Sequence, residues 1–115
     1  MIQVGLFNLL KTIPSIGNKV FPLVAEQDTK PPYITYQRVG KSDTSTMDGT
    51  ESLDIGRFQI KVFTKAFMQG LLIANEVKEK LSGKGTLVMQ LDDQEPDTKL
   101  FFQILDYKLS DDILS

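Results

Sequence analysis

Four carboxylates fall within six residues, at Asp92, Asp93, Glu95 and Asp97, and oxygen clusters of that kind are what calcium and magnesium select. The spacing favours a plainer reading. It lacks the twelve-residue loop with a central glycine and a terminal bidentate glutamate, and a solvated hairpin tip accounts for the same residues. Gly83-Lys84-Gly85-Thr86 has the letters that end a phosphate-binding loop, but such glycines must follow a strand and open a helix. Here they follow a helical stretch and precede a strand, which makes them a helix C-cap. The sequence has no cysteine and no histidine, so thiol nucleophiles, disulfides, thiolate metal sites and imidazole chemistry are all removed. Carboxylates and lysines remain, without a nucleophile and base in any recognisable arrangement. The expectation is a chain with no catalytic residue, no metal and no cofactor.

Two further groups of side chains could bind rather than react. Tyr33, Tyr36, Phe58, Phe63, Phe101, Phe102 and Tyr107 would suit a base-stacking sheet, but without interleaved Arg and Lys they read as core. Arg38 and Arg57 read as solvated or paired with carboxylates.

The elements that must hold these residues follow from periodicity. Leu6, Leu9 and Leu10 with Phe7 and Ile2 give one apolar helical face over 2–12, which Pro14 stops. Val20-Phe21, interrupted by Pro22, predicts an edge strand or a strand end. Pro31-Pro32 delivers an already extended chain into Tyr33–Val39, whose two sides are both of mixed polarity. That strand is expected to set its inner face in a core and to have its outer face partly covered, by another element or a second subunit. Phe58, Ile60 and Val62 alternate with polar neighbours in the clearest period of two in the chain, and a parity change at Gly56 predicts a bulge or bend there. Phe67, Leu71, Ala74, Val77 and Leu81 predict the strongest helix, with Thr64 as its cap and Ser82-Gly83 closing it. Two strands, 86–91 and 100–109, join across the acidic turn 92–97 as a hairpin. The order of helix, three strands, helix and two strands predicts an α+β fold. It is read as a single small domain over 1–115, with a mainly antiparallel four- to five-stranded sheet and two helices packed on a face.

Between the second and third strands lies a polar run, Gly40 to Ser52, in which Met47 is the one sizeable apolar residue. It cannot bury enough to fold on itself, and compact domains rarely keep loops that long without a use. Ser42, Asp43, Thr44, Ser45, Thr46, Met47, Asp48 and Gly49 are therefore candidate partner or subunit-interface residues, together with Asp92, Asp93 and Glu95. The tail at about 110–115 is expected to be flexible, fraying or docking on a neighbour.

With 115 residues, 41% of them apolar, the chain suits one soluble domain. No apolar run approaches a bilayer span and the N-terminus lacks a signal-peptide pattern, so a soluble, intracellular product with no membrane partner is expected. Eleven basic face eight acidic side chains up to residue 91, and two face seven beyond it. A chain with net charge −2 and no Lys/Arg stripe is a poor nucleic-acid binder, and no sequence-specific binding is expected.

Taken in order, several segments resemble one family. They are Lys19-Val20-Phe21-Pro22-Leu23-Val24-Ala25, Pro32 through Val39, Asp48-Gly49, Phe58-Gln59-Ile60-Lys61-Val62-Phe63-Thr64-Lys65, the helix from Phe67 to Leu81, and Leu105-Asp106-Tyr107. Together they resemble the tail-completion proteins of long, non-contractile-tailed phages, also described as tail-to-head joining or tail-terminator proteins. The resemblance implies a sheet flanked by helices and a structural, non-enzymatic role in the virion at the tail–head junction, after assembly in the host cytoplasm. It also implies a hexameric ring on the finished tail tube, through which DNA passes. The implied partners are copies of itself, the major tail-tube protein and a head-completion or connector protein, with no cofactor; whether the isolated subunit is a monomer is left open. The acidic C-terminal third departs from the pattern. The alternative is a small ferredoxin-like regulatory or ligand-binding domain of cellular origin, with the loop as a lid over a pocket.

Overall fold

The computed structural model describes residues 2–41 and 56–109. The polar run from Ser42 to Gly49 and the tail at 110–115 lie outside the described residues. The elements are α1 (Ile2–Leu10), β1 (Val20–Pro22), β2 (Tyr33–Lys41), β3 (Gly56–Thr64), α2 (Phe67–Lys80), β4 (Gly85–Gln94) and β5 (Phe101–Leu109). They form a five-stranded sheet in the order β1-β2-β3-β5-β4. The fold is α+β as expected.

Period-two alternation fixes which side of the sheet is buried. Phe58, Ile60 and Val62 of β3 sit opposite Tyr107, Leu105 and Gln103 of β5, and Ile34 and Tyr36 of β2 sit opposite Val62 and Ile60. Both helices cover this face. Leu6 and Leu10 of α1 join Ile13 and Ile16 in the same core, and Phe7 lies 6.4 Å from Tyr36. From α2, Ile73, Ala74, Val77 and then Leu81 are buried. Removing such side chains from water contributes roughly 1.5–3 kcal/mol each.

The buried face of α2 holds Ala74, Val77 and Leu81 as expected but differs toward its N-terminus. Phe67 and Leu71 sit at its margin, Phe67 meeting Phe101 edge-on at 5.9 Å, while Gly70 and Ile73 point inward. The reason is close approach at Gly70, where a Cβ would come within 3.0 Å of Thr64 Oγ1 and 3.6 Å of Gln103 Cγ. Thr64 accordingly does not cap the helix. It is a buried residue ending β3, its hydroxyl donates to the carbonyl of Ala66 at 2.8 Å, and the N-cap is Ala66 with no side-chain cap bond. Gly83, at φ +79°, lies in the left-handed region just after the helix, as its closing role requires.

Three pairings are antiparallel, but β1 runs parallel to β2, with Val20 beside Ile34. Ten residues, 23–32, carry the chain back between them and include a cis Pro31–Pro32 bond. β2 extends through Gly40 and Lys41, two residues into the stretch expected to be loop. The irregularity expected near Gly56 falls on the partner strand, between Arg38 and Gly40 opposite Phe58 and Arg57. The acidic turn is also shorter than expected. β4 continues to Gln94, paired with Phe101, so Asp92 and Asp93 belong to the strand and the turn spans 95–100. At a solvated edge the ladder hydrogen bonds outweigh the poor strand propensity of aspartate.

Candidate functional site

No described helix covers the second face of the sheet, and a row of aromatic side chains crosses it. Phe21 of β1 meets Tyr33 of β2 edge-on at 6.4 Å, Tyr33 stacks on Phe63 of β3 at 4.8 Å, and Phe63 contacts Phe102 of β5 at 5.5 Å. Register places the middle three side by side, and the next residue across the sheet is Asp93 of β4. Lys61 sets its ammonium 5.7 Å from the Phe102 ring. Such aromatic pairs are worth about 0.5–1.5 kcal/mol beyond their burial. The row is thus a packed platform, with Phe63 buried and Tyr33 and Phe102 partly covered.

Two loops raise walls at one end of this platform. The β1–β2 connection supplies Leu23, Val24, Glu26 and Asp28, the β4–β5 turn supplies Glu95 and Leu100, and the groove between them holds about 560 Å³ over Tyr33 and Phe63. The first wall is tied down by the Leu23 amide donating to the Tyr36 carbonyl at 2.8 Å and by Lys19 Nζ donating to the Lys30 carbonyl at 2.8 Å. Leu23 and Asp28 take φ of 67° and 65°, a region costly for side chains other than glycine. Val24 is 75% exposed at the rim. In the second wall Glu95 accepts from the Thr98 hydroxyl at 2.7 Å, and Gln94 Nε2 donates to the Lys99 carbonyl at 3.0 Å. Burial, and secondarily the charge of Glu95, raise the Tyr33 hydroxyl above its ordinary pKa of 10.0. It remains a hydrogen-bond donor through neutral pH.

The three acidic candidates do not converge. Asp93 ends the aromatic row on the open face, Asp92 lies on the helix side of the same strand near Phe67 and Phe101, and Glu95 stands in the groove wall. Among the described residues no three metal-ligating side chains come together. Ser42, Asp43, Thr44, Ser45, Thr46, Met47, Asp48 and Gly49 lie outside the described residues. Gly85 matters for packing: a Cβ there would stand 2.4 Å from the Lys108 carbonyl oxygen.

Periodicity alone missed one polar pair on the open face. Arg57 Nη2 donates to Asp106 Oδ2 at 2.5 Å; Asp106 is 4% exposed, and its Oδ1 finds no donor among the described residues. The available signal was a lone aspartate inside an apolar strand. A second polar chain runs under α2, where Lys78 Nζ donates to Gln90 Oε1 at 2.9 Å and Gln90 Nε2 to Gln103 Oε1 at 3.3 Å. Of the aromatics expected in the core, Phe58 and Tyr107 are there; Phe63 is buried too, at 8% exposure, but lies in the open-face row between the partly covered Tyr33 and Phe102. Arg38 lies 5.5 Å from the Phe58 ring.

Comparison with known proteins gives two findings. Residues 4–109, from the first turn of α1 to the last residue of β5, match the family described as Tail completion protein gp17. Among solved structures, a chain from the virion of a native gene transfer agent particle aligns with a TM-score of 0.77. The alignment covers 94% of this chain and 92% of that chain at 17% identity, a likeness of fold. No curated protein matches.

Proposed function

We propose, on the premise that this chain belongs to the tail completion protein gp17 family, that it closes the finished tail tube and makes the joint to the head connector. Membership makes it a structural protein of the phage tail, located in the virion among other structural proteins. The finer role is our reading. Copies assemble as a ring, a hexamer, on the tail tube at the tail–head junction, after synthesis in the host cytoplasm. The ring meets the tube protein on one side and a head-completion protein on the other, and DNA passes through it. The role is non-enzymatic and needs no cofactor.

The observation that carries this reading is the family match across all seven described elements, from α1 to β5. An aromatic platform that no described helix covers supports it, because packed aromatic area flanked by polar loops is what a docking surface offers. The polar segment from Ser42 to Gly49 is assigned to contact with the tube or connector, and Asp92, Asp93 and Glu95 to contact between subunits. Uneven charge along the chain suits head-to-tail contacts, which close into rings when the rotation permits. Family membership leaves the cellular ligand-binding alternative without support.

Deleting Ser42 to Asp48 tests the assignment. The shortened chain is expected to retain its circular dichroism and melting behaviour while complementation yields separate heads and tails. Normal virion yield from that deletion would remove the segment from the joint. Absence of the chain from purified virions by mass spectrometry would overturn the role as a whole.

A further inference from the structure

The two edges of the sheet are unequal. β1 is three residues long and ends in Pro22, which has no N–H to donate, so this edge is blunted. β4 at the other edge runs ten residues and, among the described residues, pairs with β5 alone. It carries Leu87, Val88, Met89 and Leu91 at 36–47% exposure. A long apolar edge with unpaired backbone groups is a template for another strand.

Charge along this edge indicates which strand. The C-terminal end of β4 carries Asp92 and Asp93, with Glu95 and Asp97 just beyond. At the N-terminal end stands the exposed Lys108, which β5 places beside Thr86. Laid antiparallel on a copy of itself, β4 sets each acidic end against a basic end. A parallel arrangement would align like with like, which is unfavourable for directly opposed charges.

We propose that β4 pairs antiparallel with β4 of a second copy, across a two-fold axis perpendicular to the sheet, making one continuous sheet from two five-stranded ones. Such an axis reverses strand direction and keeps each face on its own side, so the two aromatic rows lie on one surface and the helices on the other. The contact uses up the β4 edge of both copies, leaves proline-blunted β1 strands outside, and therefore stops at two. The shifted register between Leu87 and Met89 further discourages indefinite stacking. This two-fold contact takes the same Asp92 and Asp93 that the ring reading gives to contacts between subunits, so the two contacts exclude each other: the dimer belongs to the free chain before a ring forms, and its test is separate from that of the virion role.

Sedimentation of the purified full-length chain is expected to give a dimer at micromolar concentration. The double variant Asp92→Lys/Asp93→Lys makes both ends basic, and Lys108→Glu makes both ends acidic. Each alone is expected to weaken dimerisation at least about tenfold, since like charges then face each other, and an equimolar mixture is expected to restore it. Because the chain has no cysteine, M89C in mid-strand supplies a unique thiol that a short bismaleimide should link into a dimer, whereas V4C on exposed α1 should not link. A wild-type monomer at hundred-micromolar concentration overturns the proposal, as does a dimer insensitive to both reversals or a mixture that fails to restore. If the reversal variants do not fold, M89C decides: no cross-link in dimeric protein overturns the contact.

Discussion

Replacing Arg57 with methionine removes the partner that the structure gives to Asp106. The carboxylate side chain is 6% exposed and the guanidinium side chain 45% exposed. Breaking a fully buried pair costs about 3–5 kcal/mol, and breaking an exposed one costs about 0–1 kcal/mol. The half-exposed arginine puts this pair between those limits, because water reaches part of the space it vacates, and the expected loss is about 2 kcal/mol. With an m-value of about 1.5 kcal/mol/M for a domain of this size, the urea midpoint should fall by roughly 1.3 M. The double variant Arg57→Met/Asp106→Leu removes the buried charge as well, including an Oδ1 that has no donor among the described residues. It should recover most of the loss, since apolar replacements of buried pairs are often neutral or better. Equilibrium unfolding followed by far-UV circular dichroism reads both. A midpoint shift below about 0.3 M for Arg57→Met at unchanged m, or a double variant no more stable than the single, would refute the argument that Asp106 depends on Arg57.

Two further outcomes follow from packing and ionisation. Gly85→Ala puts a methyl within 2.4 Å of the Lys108 carbonyl oxygen and 2.8 Å of Leu109 Cδ2, so β4 must shift; a loss of about 1–3 kcal/mol is expected in thermal unfolding, and an unchanged melting temperature would contradict the geometry. Burial raises the hydroxyls of Tyr33, Tyr36 and Tyr107 above 10.0, with Glu95 adding to the effect at Tyr33. Above that pH the unfolded chain releases these protons while the folded chain keeps them, so stability is retained below pH 10 and falls as pH rises beyond it. Unfolding midpoints across pH 8–11, repeated with Tyr107→Phe, should show a shallower decline in the variant; an identical decline would exclude Tyr107 as a contributor.

Element types were legible because patterning imposes them locally. Phe58, Ile60 and Val62 could only be a half-buried strand, and the apolar spacing from Phe67 to Leu81 could only be a helix. What stayed hidden depends on contacts remote in sequence. The inward face of α2 is set by Gly70 closing on Thr64 and Gln103, which no helical periodicity reports. Parity within Tyr33–Val39 separates two sides without saying which side the helices take, so the aromatic row could not be told from core. Asp92 and Asp93 look like turn residues until β5 supplies Gln103 and Phe102 opposite them. The parallel pairing of β1 had no local signal, because three residues, Val20-Phe21-Pro22, do not mark the direction of the strand beside them. Asp106 lies inside a period-two strand pattern, yet its pairing with Arg57 depends on their strands being neighbours, which no local pattern carries.

The parallel pairing of β1 and β2 has a consequence for how such a protein can change. An antiparallel neighbour could have been reached by a two-residue hairpin, whereas a parallel one obliges the chain to travel back, and residues 23–32 do so along the face that no described helix covers. Their exposed members contribute a groove wall and nothing to the hydrophobic core. Closure entropy grows only slowly with loop length, about 0.6 kcal/mol per doubling. Insertions or deletions there can therefore reshape one side of the groove, and with it the choice of partner, while the helices, the sheet register and the buried residues are inherited unchanged.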